Sequence, residues 1–293
     1  MATIAQLVVS SLLLGGVYAL VSIGLTLIFG VMRVVNFAHG EFLMLGMYLA
    51  FWGFTLYGVD PYLAVIVALP AFFLLGGLTY LVVMRGLIGS SHSVQIFSTV
   101  GLSIAMQSVA LLLWTSDFRF VRAPLAEITI RVAGAAINLA QVIAFGVAMA
   151  CTLALFAFLR WTHVGMVMRA TAQDREAATL MGINTDLVHG LTFALGIACV
   201  GVAGVLVAPR YPVYPTAGLQ FILIAFVVVI LGGLGDMVGA LIGSLIVATV
   251  EVVGSYILGT AWREVLYFGI MLAVLMFRPA GLFGQRGAEN LGA

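Results

Sequence analysis

Long apolar runs separated by short polar segments make up most of the chain. Nine such runs occupy residues 7–31, 42–54, 61–84, 91–114, 138–159, 190–208, 219–231, 237–258 and 262–277. A helix needs about 20 apolar residues to cross the ~30 Å hydrocarbon core of a bilayer. Most of the runs reach or approach that length, whereas 219–231 is rather short to cross alone. The pattern predicts an all-α polytopic membrane protein, a single transmembrane domain over residues 1–293 with about 8–10 transmembrane helices, some of them broken or re-entrant.

The longest polar interruption is Trp161–Val188, and it carries a helical pattern. Five apolar residues between Gly165 and Met181 can share one helix face, while most charged residues turn elsewhere. The five are Val167, Ala170, Ala177, Leu180 and Met181. Asn184, followed by Thr185 and Asp186, supplies signals that end this helix and start the next. The segment is predicted to be either a surface helix that docks a soluble partner or an ordinary solvated loop, and its pattern alone does not choose between them.

A cluster of polar residues stands at the start of the second apolar run. Arg33, Asn36, His39 and Glu41 lie within nine residues, next to Gly40. Polar groups that enter a span predict an irregular or broken helix start, lined by protein or water. Such groups are costly in lipid, so they are candidates for a gate or translocation path. The alternative is that they anchor and cap the helix at the level of the lipid headgroups.

Two further sets of polar residues lie within apolar runs. Gln95, Thr99, Ser103 and Gln107 recur every four residues, so they share one face of a helix. This face either lines a water-filled path or bonds to a neighbouring helix, which is the commoner use of polar residues in helix bundles. Glu251 is the deepest acidic residue and has no evident basic partner, and it too either bonds to a neighbouring helix or lines the path.

Residues 116–136 predict an excursion at the extracytoplasmic surface. The segments Phe118–Val121 and Ile128–Val132 alternate in a way that is typical of a small β-hairpin. With 161–188 in the cytoplasm, seven arginines, Arg286 among them, lie inside and five lie outside. This weak bias agrees with the positive-inside rule and, with nine spans, places the N-terminus outside.

The composition excludes several classes of protein. The chain is 63% hydrophobic and 8% charged, whereas soluble domains are about 25% charged. All twelve Lys and Arg residues are arginine, so no P-loop of the form GxxxxGK[ST] exists and the chain does not hydrolyse ATP by that route. Any ATP-driven activity must therefore come from another subunit. The net charge of +1 and the lack of a basic block give no indication of nucleic-acid binding.

Other chemistry is also unsupported by the residue spacing. Cys151 and Cys199 lie inside apolar runs without a CxxC or histidine neighbour, so they are expected to be structural thiols rather than disulfide or metal ligands. No HExxH motif or paired-carboxylate cluster indicates a membrane enzyme. The N-terminal run lacks a basic leader and is too long for a signal peptide, so it is expected to be a retained span.

Four segments of the chain, in order, resemble the LivH-type permeases, which are membrane subunits of ATP-binding-cassette importers for branched-chain amino acids and related amides. These segments are Gly24–Ala50, Gly165–Asn184, Leu231–Val247 and Met276–Gly284. The resemblance covers nearly the whole chain. It implies a multi-pass protein of the bacterial inner membrane that translocates branched-chain amino acids, or related amides and urea, by alternating access.

The resemblance also implies partners. These are a second, LivM-like permease, two cytoplasmic LivG/LivF-like ATPases that bind the ATP, so that this chain holds no cofactor itself, and a periplasmic substrate-binding protein. It matches 161–188 to the cytoplasmic coupling loop of the family, and it implies that the residues facing the ATPase are Arg169, Gln173, Glu176, Ala177, Ala178, Gly182 and Ile183. An ion-coupled secondary transporter is the alternative function, because intramembrane acids favour that class.

Overall fold

The computed structural model describes residues 2–123, 125, 128–132 and 135–284, and within them the chain is a bundle of helices with one small hairpin. The helices are α1 (Ala2–Met32), α2 (His39–Tyr57), α3 (Pro61–Val82), α4 (His92–Trp114), α5 (Leu139–Trp161), α6 (His163–Gln173), α7 (Arg175–Leu180), α8 (Thr185–Val207), α9 (Ala217–Gly232), α10 (Met237–Leu258) and α11 (Arg263–Phe277). The strands are β1 (Thr129–Val132) and β2 (Ala135–Asn138). This architecture confirms the predicted all-α membrane fold.

Seven helical segments within the described residues are long and apolar enough to cross a membrane: α1, α3, α4, α5, α8, α10 and 260–277, which contains α11. Helices α2 and α9, with 19 and 16 residues, are not among these seven. Both begin inside the bundle, where a Cβ added to Gly40 near the start of α2 would collide with the carbonyl oxygen of Gly218 near the start of α9. The predicted broken or re-entrant helices are therefore α2 and α9.

Side-chain caps fix the starts of four spans. Asp60 accepts a hydrogen bond from the Tyr62 amide at the start of α3, and Asn138 does the same at the start of α5. Asn184 and Asp236 cap α8 and α10 in the same way. An oxygen at this position satisfies one of the free amides of the first helical turn. The predicted starts of the apolar runs 61–84, 138–159 and 237–258, and the predicted restart at Asn184, are confirmed.

The bundle has two ends, named here by what they carry. The hairpin end holds the start of α1, where Gln6 Oε1 accepts a hydrogen bond from the Ala136 amide of β2 at 2.7 Å. The α6–α7 end holds the end of α1, where Gly30 packs against Gly235. Because α1 links the two, the chain begins at the hairpin end. The predicted excess of arginines on the cytoplasmic side, seven against five, counts Arg286, which lies outside the described residues.

The excursion at the hairpin end differs in pairing from its prediction. Strand β1 contains the expected alternating residues, but it pairs with β2 rather than with 118–121. Arg119 instead forms an isolated antiparallel bridge with Val213, in the connection between α8 and α9. The alternation of apolar residues marks a strand without identifying its partner, and the nearest following segment took that place.

Close backbone contacts hold α8 in the centre of the bundle. Gly196 packs against Gly24 of α1, and Gly201 and Gly204 pack against Gly46 of α2. Small residues let helix backbones approach closely in a bilayer, where the surrounding lipid is as apolar as the side chains. Among the seven candidate spans, α1 and α8 are accordingly the most buried: 89% and 78% of the residues in their 18-residue apolar windows are buried.

Two glycines of α2 are expected to respond to alanine with opposite signs. A Cβ on Gly46 would collide with the Gly201 carbonyl oxygen, whereas a Cβ on Gly53 would meet nothing within 4 Å. Gly46→Ala should therefore cost about 1–3 kcal/mol through overpacking. Gly53→Ala should stabilise the helix by about 0.5–1 kcal/mol. Thermal unfolding in detergent measures both, and equal midpoints for the two variants would contradict this packing.

Candidate functional site

The start of α2 forms a polar centre deep in the bundle. His39 Nε2 lies 3.0 Å from the Val21 carbonyl oxygen of α1, although α1 continues to Met32. Eleven residues of helix correspond to about 16 Å, so α2 begins well inside the end of α1. The connection 33–38 therefore runs back into the bundle. Asn36, His39 and Glu41 are each fully buried.

Glu41 joins α2 to the polar face of α4. Its Oε1 accepts hydrogen bonds from Ser103 Oγ at 3.0 Å and from Gln107 Nε2 at 2.8 Å. Gln107 Nε2 also donates to Ser103 Oγ at 3.2 Å. The sequence placed these three residues in two separate candidate sets, and the fold brings them together around one carboxylate.

The rest of the polar face of α4 bonds to backbone. Thr99 Oγ1 donates to the Val35 carbonyl at 3.2 Å, in the connection that leads to α2. Gln95 Nε2 donates to the carbonyls of Leu87 and Ser90, in the connection between α3 and α4. The predicted face therefore contacts two different connections as well as Glu41, and all of its members turn towards protein.

The start of α9 also faces Glu41. A Cβ added to Gly218 would lie 2.9 Å from Glu41 Oε2. Free amide groups and the helix dipole make the first turn of a helix favourable for negative charge. Glu41 also lies in the first turn of α2. Two helix starts and two side-chain donors thus surround this carboxylate.

Several polar atoms in this centre have no protein partner among the described residues. They are Ser22 Oγ, Asn36 Nδ2, His39 Nδ1 and Glu41 Oε2. The interpretation of this cluster as headgroup-level anchoring is wrong for the last three of these residues, because their side chains are buried among helices. The interpretation as an irregular helix start within the bundle is confirmed. Arg33, by contrast, is exposed and ends α1 in a left-handed conformation with φ of 54°.

Glu251 has the basic partner that the sequence did not reveal. Its Oε1 lies 3.3 Å from Arg263 Nε at the start of α11, and its Oε2 accepts a hydrogen bond from Tyr18 at 2.8 Å. The expectation of an unpaired acid is therefore wrong, and that of a bond to a neighbouring helix is confirmed. The pairing was hidden because Arg263 begins the next antiparallel helix, a relation that residue spacing within one run does not show. This network lies towards the hairpin end, away from Glu41.

Tyr18→Phe is expected to destabilise the bundle by about 2 kcal/mol, because a buried carboxylate loses a hydrogen-bond donor. Tyr57→Phe is the matched control, since Tyr57 is 79% exposed at the end of α2. Thermal unfolding of the two variants in detergent checks the difference. A midpoint for Tyr18→Phe as high as that of the control would mean that the bond to Glu251 contributes nothing.

The segment 161–188 forms two helices rather than the single predicted one. Helix α6 ends at Gln173, and Asp174 adopts an extended conformation with φ of −150°. The Asp174 carboxylate accepts a hydrogen bond from the Ala177 amide and so caps α7. The apolar periodicity from Gly165 to Met181 continues across Asp174, but an aspartate side chain favours capping a helix over lying in its interior. Gly182, with φ of 81°, then turns the chain out of α7.

The tip of this segment exposes both polar and apolar side chains. Leu180 and Met181 are 88% and 82% exposed. Five of the predicted coupling residues are exposed too: Arg169, Gln173, Glu176, Ala177 and Gly182. Ala178 is buried and Ile183 is half-buried, so these two hold the segment to the bundle instead of facing outward. The predicted apolar helix face is thus split, with Ala177, Leu180 and Met181 outside.

Contacts at the start of α8 tie this segment to the spans. At the start of α8, Asp186 accepts a hydrogen bond from Tyr80 of α3 at 2.7 Å and pairs with Arg85 at 3.1 Å. Behind α7, a polar cleft of about 290 Å³ is lined by residues that include Arg33, Thr171 and His189. Arg33 begins the connection that carries Asn36 towards Glu41. The sequence did not single out Tyr80 or Arg85 for this role, because their partner lies over a hundred residues away.

Apolar helices around a buried polar centre, with a polar segment exposed at one end, define a polytopic membrane protein of the permease class. A family model described as "Branched-chain amino acid transport system / permease component" matches residues 7–275. The chain belongs to this family.

Curated relatives of nearly the same length support the assignment. The high-affinity branched-chain amino acid transport system permease protein BraD of Pseudomonas aeruginosa is 32% identical, over 98% of this chain and 97% of its own length. The permease protein LivH of Escherichia coli K12, named for the same kind of transport system, is 34% identical over 95% of this chain and 94% of its own. A probable LivH of Methanocaldococcus jannaschii is 28% identical over 90% and 88%. No solved structure matches the chain.

Proposed function

We propose that this chain is the membrane-spanning subunit of an ATP-binding-cassette importer of the bacterial inner membrane, which moves branched-chain amino acids by alternating access. The observation that carries the proposal is the pair of apolar side chains at the tip of α7, Leu180 and Met181, which are each more than four-fifths exposed. Family membership agrees with it, since the relatives are named as permease proteins of transport systems.

The docking surface for an ATPase is the exposed face of α6 and α7. Two large apolar side chains there are flanked by the charged residues Arg175 and Glu176. An apolar contact with a polar rim is the usual anatomy of a protein–protein interface. The α6–α7 end then faces the cytoplasm. Because the chain has no lysine and so no Walker lysine, the ATP is bound by the docked subunits.

Movement of α7 reaches the polar centre through α8. Ala178 and Ile183 attach α7 to the bundle, and Asn184 caps the start of α8. The glycines of α8 pack on α1 and α2, so a small shift of α8 moves the surfaces that support the start of α2. Such sliding of packed helices is a common form of two-state change in proteins.

The translocation path passes the polar centre. Polar side chains from α2 and α4 and the start of α9 meet at Glu41, and unpartnered polar atoms surround it. Buried polar groups without partners are costly in a membrane interior and mark ion or substrate pathways. Asn36, His39, Glu41, Ser103 and Gln107 are the residues assigned to the path or gate. Thr99 and Gln95 support its wall, and Glu251 forms part of the outer structure.

The complete importer requires further subunits. A second permease, similar to LivM or a copy of this chain, completes the path. Two LivG/LivF-like ATPases dock at the α6–α7 end, and a periplasmic binding protein delivers the amino acid at the hairpin end.

The paired state of Glu251 weakens the alternative of an ion-coupled secondary transporter, because an acid held by Arg263 is poorly suited to carrying a proton.

Copurification tests the proposed assembly. The chain is expressed with its neighbouring genes, extracted in mild detergent and purified by a tag on this chain. Two ATPase subunits are expected in the complex, and their number follows from its mass. A folded chain that retains no ATPase, under conditions that keep a second permease attached, would overturn the docking proposal.

A further inference from the structure

A small pocket at the hairpin end combines an apolar interior with a basic rim. Its volume is about 140 Å³. A cavity of about 150 Å³ with apolar walls holds one benzene molecule in another protein, so this pocket has room for a branched side chain of four carbons. Its apolar walls come from α1, α5 and α8, and its basic rim comes from the connection after α8.

The walls are buried in the bundle and do not face lipid. They include Leu14 and Val17 of α1, Ala144 of α5, and Leu206 and Val207 of α8. Each of these residues is at most 6% exposed. By contrast, the larger apolar groove between α2 and α3 is lined by Val67, which is 59% exposed and so faces the bilayer. The pocket is therefore suited to a solute rather than to a lipid chain.

The floor of the pocket is a non-helical segment below the end of the bundle. Gly204 of α8 meets Gly46 of α2, and α2 runs on for eleven residues to Tyr57 while α8 ends three residues later at Val207. The connection 208–216 thus begins about 12 Å below the end of α2. Irregular backbone at this depth occurs where it is buried in protein or lines a water-filled cavity.

The rim carries an unpaired positive charge. Glu251 interacts electrostatically with both Arg263 and Arg210, but it forms its ion pair with Arg263. Arg210, which lines the pocket, is exposed and forms no ion pair among the described residues. Its guanidinium lies 5.8 Å from the ring of Tyr211. Gln141 lines the same rim and offers an amide oxygen to a cationic group.

We propose that this pocket is the outer binding site of the chain for a free α-amino acid with a branched aliphatic side chain. The carboxylate pairs with the guanidinium of Arg210, the ammonium group with the amide oxygen of Gln141, and the side chain fills the apolar interior. The identity of the solute rests on the function proposed above. The site lies at the hairpin end, opposite the ATPase docking surface, where an importer receives its substrate.

Protection of an engineered cysteine tests the site in the full chain within the assembled importer. In a Cys151→Ser/Cys199→Ala background, Tyr62→Cys, on the wall of the pocket, is labelled with a membrane-impermeant maleimide, without ATP. L-leucine is expected to slow labelling several-fold. Glycine, which lacks the side chain, and 3-methylbutylamine, which lacks the carboxylate, should not. Tyr57→Cys at the same end should react at a rate that leucine does not change.

Three further variants complete the test. Adding Arg210→Gln or Gln141→Leu should abolish protection by leucine, and Leu13→Cys, also on the pocket, should repeat the result if Tyr62→Cys folds poorly. Labelling that leucine leaves unchanged at both positions, or no labelling at either, would overturn the site. Protection by leucine in a chain that binds no ATPase would keep the site and reject the importer. ATP-driven uptake without protection by leucine would keep the importer and reject the site.

Discussion

Replacing Glu41 by leucine is expected to abolish uptake. The change removes the acceptor of two hydrogen bonds and leaves Ser103 and Gln107 facing an apolar side chain. Each abandoned buried donor costs about 1–3 kcal/mol, and about 3 kcal/mol in a rate-limiting conformational step slows it roughly a hundredfold. Initial rates of radiolabelled leucine uptake in proteoliposomes, together with thermal unfolding, measure the two effects. Gln107→Leu, which removes one of the two bonds, should lower uptake by less.

The control for this prediction is Glu264→Leu. Glu264 is exposed in the first turn of α11 and lies outside the polar centre, so its loss should leave uptake near that of the unchanged protein. Glu41→Gln separates charge from shape, since it keeps one oxygen acceptor and should fold with a near-normal midpoint while transporting slowly. Full uptake by Glu41→Leu would show that the polar centre serves packing and has no part in the path.

The second large effect is expected from Leu180→Asp combined with Met181→Asp. Because both side chains are more than four-fifths exposed in the isolated chain, the double variant should fold and insert normally. A central apolar contact in an interface commonly contributes 2 kcal/mol or more, by roughly the alanine-scan scale. Two such losses should weaken ATPase binding by about a thousandfold. The amount of ATPase that copurifies, and the ATP-driven uptake, are the measurements.

Val59→Asp provides the matched change at the opposite end of the bundle. Val59 is a partly exposed apolar residue, 37% accessible, in the short connection between α2 and α3. The Val59→Asp variant should retain the ATPases, whereas the Leu180→Asp/Met181→Asp variant should lose them. Normal ATPase retention by the double variant would exclude the tip of α7 as the docking surface and move attention to the charged residues of α6.

Much of the fold was predictable because apolar run length and capping residues act locally. Helices α3 and α5 begin where the apolar runs 61–84 and 138–159 begin, and α8 begins at the restart signal predicted at Asn184. The single helix predicted across 165–181 was wrong because Asp174 satisfies backbone amides better as a cap than as an interior residue. Alternation did not identify the partner of either segment, since β1 pairs with the adjacent β2 and Arg119 pairs with Val213, far along the chain.

The polar centre was predictable in its members but not in its assembly. Asn36, His39, Glu41 and the face of α4 stood out because polar side chains are rare in apolar runs. That Ser103 and Gln107 bond to Glu41 follows from tertiary packing of α2 beside α4, which no spacing rule within one helix contains. The same limit hid Arg263 from Glu251. The functional roles assigned to these residues remain predictions.

The measurement that tests the central claim most directly is leucine uptake into proteoliposomes that hold the purified assembly, with the energy source varied. With binding protein and leucine on the side of the hairpin end, uptake is expected when ATP is on the side of the α6–α7 end. A non-hydrolysable ATP analogue should not support it, and neither should a proton or sodium gradient alone. Uptake that continues without ATP under an ion gradient, at the rate seen with ATP, would contradict the account of this chain as an ATP-driven permease.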